Sequence, residues 1–190
     1  MAEKSSQMLP LGTPAQAFSL PDTSGALHSL DDAPGSKAYL VMFICNHCPF
    51  VIHVADELAR IANDYQSKDV ALFAINSNDA ERYPADGPET MDKVSAQYGY
   101  SFPYLIDAGQ DVAKAYQAAC TPDFYLFDSD RSLVYRGQLD GSRPGNTVAV
   151  DGRDLRAALD ALLAGDAVSA EQVPSIGCSI KWISGNEPTY

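Results

Sequence analysis

The stretch Ala38-Tyr39-Leu40-Val41-Met42-Phe43-Ile44-Cys45-Asn46-His47-Cys48-Pro49-Phe50-Val51 decides how this chain reads. Ala38 to Ile44 is uninterrupted apolar sequence, the pattern of an interior strand covered on both faces. Beyond the cysteines, Val51, Val54, Leu58, Ile61 and Tyr65 recur at spacings of three and four, which predicts a helix over Phe50–Tyr65. A C-x-x-C dithiol therefore sits where a buried strand turns into a helix. Backbone N–H groups and the helix dipole favour a negative sulfur there, and the thiolate is the reactive form of cysteine. The placement argues for chemistry rather than packing.

Working outward, Val70–Ile75 reads as a second buried strand, ended by the polar Asn76-Ser77-Asn78. Pro88 suits the first turn of a helix carrying Met91, Val94 and Tyr98 and closed by Gly99. Phe102–Asp107 is a short extended piece, and Asp111–Tyr116 makes one or two helical turns. Phe124–Phe127 and Ser132–Arg136 flank Asp128-Ser129-Asp130-Arg131, a hairpin signal, and Ala17–Leu20 with Ala26–Leu30 predicts an earlier, smaller hairpin. Asp154–Ala164 is a helix with Gly165 past its end. Residues 1–14 read as a polar arm, and 166–190 as a C-terminal extension without a strong period. The order predicts one domain over residues 1–190. Its class is α/β, a central mixed β-sheet flanked by helices, with parallel pairing in the first half and antiparallel closure in the second.

Composition narrows the function. The 190 residues are 46% hydrophobic and 20% charged, ordinary for a globular protein that can bury a real core. A net charge of −12 leaves no basic stripe for nucleic acid and disfavours anionic membranes. Met1–Gln7 is polar and lacks the pattern of a secretory signal, so the expected location is cytoplasmic. Four cysteines, Cys45, Cys48, Cys120 and Cys178, are too few for a structural disulfide framework in a chain of this length. In a reducing cytosol a C-x-x-C pair is catalytic or metal-binding before it is structural. No nucleotide-binding glycine pattern occurs, so no organic cofactor is expected.

From roughly Leu11 to Trp182 the chain resembles the thioredoxin-like superfamily, and within it the redoxin group of peroxiredoxin-like proteins. The resemblance rests on Phe43 to Val51, on Cys120-Thr121-Pro122-Asp123-Phe124, on Tyr135-Arg136-Gly137, and on Ile176 to Trp182. It implies a thioredoxin-like fold. It also implies that Pro122, after Thr121, follows a cis bond, faces the dithiol and contacts the substrate.

Two orders of chemistry compete. In dithiol exchange, Cys45 is exposed, attacks a disulfide, and Cys48 resolves the mixed disulfide. In peroxide reduction, Cys48 before Pro49 is the peroxidatic residue and Cys45 condenses with its sulfenic acid. The peroxiredoxin pattern has a proline and a hydroxyl residue ahead of that cysteine, where this chain has Val41 and Cys45. Thiol–disulfide exchange therefore ranks first. His47 is expected to lower the thiol pKa and make the disulfide more oxidising. The catalytic candidates are Cys45, Cys48, His47, Thr121 and Pro122. The implied partners are protein or small-molecule disulfides, or peroxides, and a separate thiol reductant. A metal carrier or redox sensor using Cys45, Cys48 and His47 or His53 is the third reading, but no second ligand pair follows, so no metal is expected. Cys120 is expected to be a small buried hydrophobe, and Cys178 to be free or paired with Cys120 or the active site. Arg136 is expected in a surface ion pair, and Asp56 and Glu57 on a solvated helix face.

Overall fold

A computed structural model of the chain describes residues 3–190. Its elements run β1 (Glu3–Ser5), β2 (Leu20–Pro21), β3 (Leu27–His28), β4 (Ala38–Phe43), α1 (Pro49–Tyr65), β5 (Val70–Asn76), α2 (Pro88–Tyr98), β6 (Tyr104–Ile106), α3 (Asp111–Ala115), β7 (Cys120–Thr121), β8 (Asp123–Asp128), β9 (Leu133–Tyr135), α4 (Arg153–Ala164) and β10 (Ile176–Ser179). The central sheet has the order β6-β5-β4-β8-β9. β4 pairs parallel with β5 and antiparallel with β8, and β5 pairs parallel with β6. This is the mixed sheet that the pattern of buried strands predicts.

β4 is apolar throughout because both its faces are covered. Leu40, Met42 and Ile44 join Val51, Val54, Leu58 and Ile61 of α1 and Leu155 and Leu159 of α4 in one core. Tyr39, Val41 and Phe43 join Phe18, Ala113 and Tyr116 in the core on the opposite face. The alternation is that of a strand, whose successive side chains point to opposite faces. Pro49 opens α1 at a position where its missing N–H costs nothing, which leaves Cys48 as the N-cap residue. Gly99 closes α2 with φ 69°, a conformation that other residues adopt only with strain. Among the described residues no helix is long and apolar enough to cross a membrane.

The termini depart from the sequence reading. The arm, of which residues 1 and 2 lie outside the described residues, contributes β1, and the extension contributes β10. Together with β7 they form a small antiparallel sheet in the order β1-β10-β7. The strands are too short to show a period, so only their pairing reveals them. Gly177 makes this sheet possible, because a Cβ there would lie 2.0 Å from the Thr121 carbonyl oxygen.

Two charged side chains also correct expectation. Glu57 does not face solvent. It is buried, and it takes Arg60 Nε at 2.6 Å and Arg156 Nε at 2.7 Å, tying α1 to α4. Asp56 is exposed, as expected. Arg136 is not a surface residue either. It is fully buried, donating from Nη2 to the Gln117 carbonyl at 2.8 Å and to Asp123 Oδ2 at 3.4 Å, with its guanidinium over the Tyr125 ring. Asp123 directly follows Pro122 and also accepts from Ser6 and Tyr125. Burial raises its pKa while Arg136 opposes that shift. The pair anchors the start of β8, and so the loop before it.

Removing one member of such a pair strands the other charge in the core. Arg136→Leu is expected to cost about 3–5 kcal/mol in urea unfolding, with part recovered in Arg136→Leu/Asp123→Asn. A loss below about 1 kcal/mol would show that the pair does not anchor this region.

Candidate active site

The end of β4 delivers Cys45, and the N-cap of α1 delivers Cys48. Facing them is the Thr121–Pro122 bond, which is cis. Thr121 meets both sulfurs: its hydroxyl lies 3.2 Å from Cys45 Sγ, and its carbonyl accepts from Cys48 Sγ at 3.3 Å. Cys45, Cys48, Thr121 and Pro122 are thus brought together as expected. A cleft beside Pro122 is lined by Phe50, His53, Phe124, Arg143 and Ile176. His53 belongs to this cleft and not to a cluster with the cysteines.

Exposure contradicts the expectation for Cys45. Its side chain is 2% exposed and that of Cys48 is 0% exposed. The cause is local. The segment 77–86 and strand β10 pack over the junction, and their cover was not legible in the motif.

Two donors reach Cys48 from the backbone, the N–H of Val51 in the first turn of α1 and the N–H of Cys178 in β10. With the thiols of Cys45 and Cys178 they bring the Cys48 pKa down to about 5, the Cys45 contact being the largest cause and burial acting against it. Cys45 moves the other way, well above the ordinary thiol range. It holds its proton towards Cys48, it is buried, and the Asp86 carboxylate repels a second negative charge, while the Thr121 hydroxyl acts in the opposite sense. The reduced site therefore carries one thiolate and one thiol, with a proton between two sulfurs.

That proton can sit on either side. With the charge on Cys48, four donors serve it but the Thr121 carbonyl faces it. With the charge on Cys45, the Cys48 thiol donates to that carbonyl and the Thr121 hydroxyl donates to Cys45, so every group has a partner. Thr121 thus makes both proton positions workable, with the charge resting on Cys48 and reaching Cys45 by a proton shift.

His47 is tied to Asp86. The groups that lower the Cys48 pKa are the other cysteines and backbone donors, and His47 turns to Asp86, with Nδ1 2.7 Å from Oδ2. Its ring stacks on Tyr83 at 5.8 Å between centroids. Asp86 is the site residue that sequence reading missed. It lies in a proline-rich insert with no pattern, yet it is buried and held by the Asn46 N–H at 2.8 Å and Asn78 Nδ2 at 2.7 Å. Donor atoms of Cys45, His47 and Asp86 lie within 4.8 Å of one another. This is the one trio among the described residues whose thiolate, imidazole and carboxylate could hold a metal ion, and it differs from the set expected from the motif. Cys120 is buried, with its thiol towards the Pro122 carbonyl, as a packing residue.

The architecture and the paired cysteines facing a cis-proline define a thioredoxin-like protein. The Redoxin sequence profile matches residues 10–153, and the chain belongs to the Redoxin family. Thiol-disulfide oxidoreductase ResA of Halalkalibacterium halodurans is 27% identical over 123 residues, which cover 65% of this chain and 65% of that relative. This chain therefore spans less than two thirds of that relative's length. An uncharacterized conserved protein from Geobacillus kaustophilus superposes with a TM-score of 0.93 at 58% identity, covering 96% of this chain and 97% of that one. The thioredoxin domain of a thiol-disulfide oxidoreductase from Bacteroides vulgatus shares the fold, with a TM-score of 0.58 at 20% identity over 68% of this chain and 89% of that one.

The acidic sulfur sets a pH dependence. The Cys48 pKa is about 5 in the folded reduced protein against 9.0 for an ordinary thiol. A group whose folded pKa is depressed contributes stability that is full above the unfolded pKa and lost as pH falls through the folded one. Reduced wild-type protein is expected to gain stability over Cys48→Ser as pH rises from about 5 towards 9. Parallel stability curves through that window would contradict the depressed pKa.

Proposed function

We propose that this chain is a thiol–disulfide oxidoreductase whose redox couple is Cys45 and Cys48. One observation carries the reading: two cysteine sulfurs meet at Thr121, beside cis-Pro122. A ready thiolate is what disulfide exchange requires. ResA, a relative by sequence, is named for the same activity, which supports the proposal.

In the proposed cycle a disulfide approaches the dithiol beside Pro122. The Cys45 proton shifts to Cys48, and the Cys45 thiolate attacks one substrate sulfur and expels the other. Cys48 then gives up its proton and attacks Cys45 Sγ. The substrate leaves as a dithiol, carrying the proton given up by Cys48 and a second taken from solvent, and the protein holds a Cys45–Cys48 disulfide. A separate thiol reductant returns it to the dithiol, which is the state a reducing cytosol would maintain. The segment 77–86 and β10 must yield for the substrate sulfur to approach, because both cysteines are covered. His47 is proposed to act here as a positioning residue, held by Asp86 at the rim of the dithiol.

A second reading, peroxide reduction at Cys48, is favoured by one feature: Cys48 is the acidic sulfur and caps a helix opened by Pro49. Two features weigh against it. No hydroxyl residue stands at position 45, and Arg136 is committed to Asp123 rather than to the sulfur.

A low thiol pKa stabilises the reduced form and makes the disulfide a better oxidant. Equilibration with glutathione is expected to give a potential less negative than the ~−270 mV of thioredoxin. A value at or below that figure would contradict the proposed stabilisation. Rapid mixing with hydrogen peroxide separates the two readings. Slow oxidation in both Cys45→Ser and the wild type fits disulfide exchange. Fast oxidation that survives Cys45→Ser and is lost in Cys48→Ser would replace it with peroxide reduction.

A further inference from the structure

A third sulfur lies at this site, supplied from the opposite end of the chain. β10 pairs with β7 in a register that sets Cys178 opposite Thr121, the residue that contacts both Cys45 and Cys48. The approach is close because residue 177 is glycine, and any side chain there would strike the Thr121 carbonyl. Cys178 is buried in the same core as Cys45 and Cys48. Its backbone N–H and its thiol both serve Cys48 Sγ as donors. The nearby Cys120 has no such relation, since its thiol is spent on the Pro122 carbonyl.

We infer that Cys178 forms a second redox-active disulfide with Cys48, reached from Cys45–Cys48 by exchange inside the protein. The inference rests on the reading of Cys45 and Cys48 as the redox couple. Cys178 attacks Cys48 Sγ, the S–S bond to Cys45 breaks, and the new bond joins Cys48 to Cys178. The proton leaves Cys178 and ends on Cys45, so one disulfide and one thiol remain and no external oxidant is consumed. In the reduced protein the Cys48 thiolate keeps Cys178 protonated, its pKa pushed up to about 12 chiefly by burial and then by Cys48. Oxidation of Cys48 removes that charge, leaving burial as the remaining barrier to loss of the Cys178 proton during attack. The outcome is an oxidised protein that still presents a free thiol at Cys45. Such a protein can open a further substrate disulfide and exchange its partners, instead of only accepting electrons.

Disulfide mapping after acid quench tests this. Wild-type protein at half oxidation with oxidised glutathione is expected to contain both Cys45–Cys48 and Cys48–Cys178 linkages. Cys45→Ser treated likewise is expected to end as Cys48–Cys178 without bound glutathione, and Cys45→Ser/Cys178→Ser to retain glutathione on Cys48. The inference is overturned if Cys45→Ser keeps glutathione on Cys48 with Cys178 open to alkylation, or if the wild type shows Cys45–Cys48 alone. Should the wild type form no Cys45–Cys48 linkage at all, it is the redox-couple reading that fails. The wild-type measurement stands even if a variant does not fold.

Discussion

One negative charge on sulfur, kept inside the protein, is the constraint on which this site is built. A buried thiolate without donors would simply take up a proton. Here the donors come from widely separated parts of the chain: the first turn of α1, the strand β10 and the neighbouring thiol. Thr121 joins them. Its hydroxyl contacts Cys45, its carbonyl accepts from Cys48 when that sulfur carries the proton, and its register partner is the cysteine that brings the third sulfur. The loop that holds Thr121 is fixed in turn by the buried pair of Asp123 and Arg136. A charge far from the cysteines is thereby part of their geometry.

The electrostatics of the site pull in two directions, and the balance has a chemical meaning. Asp86 opposes a charge on Cys45, while the donors around Cys48 favour one there. The thiolate is stable but rests on a covered sulfur. Moving it to Cys45 requires only a proton shift between adjacent atoms. Reactivity is thus gated by where one proton sits and by the opening of the segments that cover the pair. His47 and Tyr83 stack at the edge of that cover, with Asp86 behind them.

Much of the fold was legible because strong local signals coincide with its core. The apolar run at β4, the spaced apolar residues of α1 and the hairpin of β8 and β9 all appear where their patterns predicted. The dithiol was legible from its junction, and the cis bond before Pro122 from family resemblance. What escaped depends on contacts between distant residues. β1 and β10 are too short to carry a period and exist only as partners of β7. Asp86 sits in an irregular insert, and nothing near it in sequence says that it faces a cysteine. Glu57 and Arg136 look like surface charges along their own elements. Each is buried because another element brings a counter-charge to it. The burial of Cys45 escaped for the same reason, as its cover comes from both the insert and the C-terminal strand.

The account turns on one thiolate shared unequally between two sulfurs. Carbon-13 labelling of the cysteine β-carbons, followed by NMR titration of the reduced protein, reads each thiol separately. The account predicts that Cys48 titrates near pH 5 while Cys45 stays protonated well beyond the ordinary thiol range. Two signals moving together near pH 9, the value of an unperturbed thiol, would contradict it.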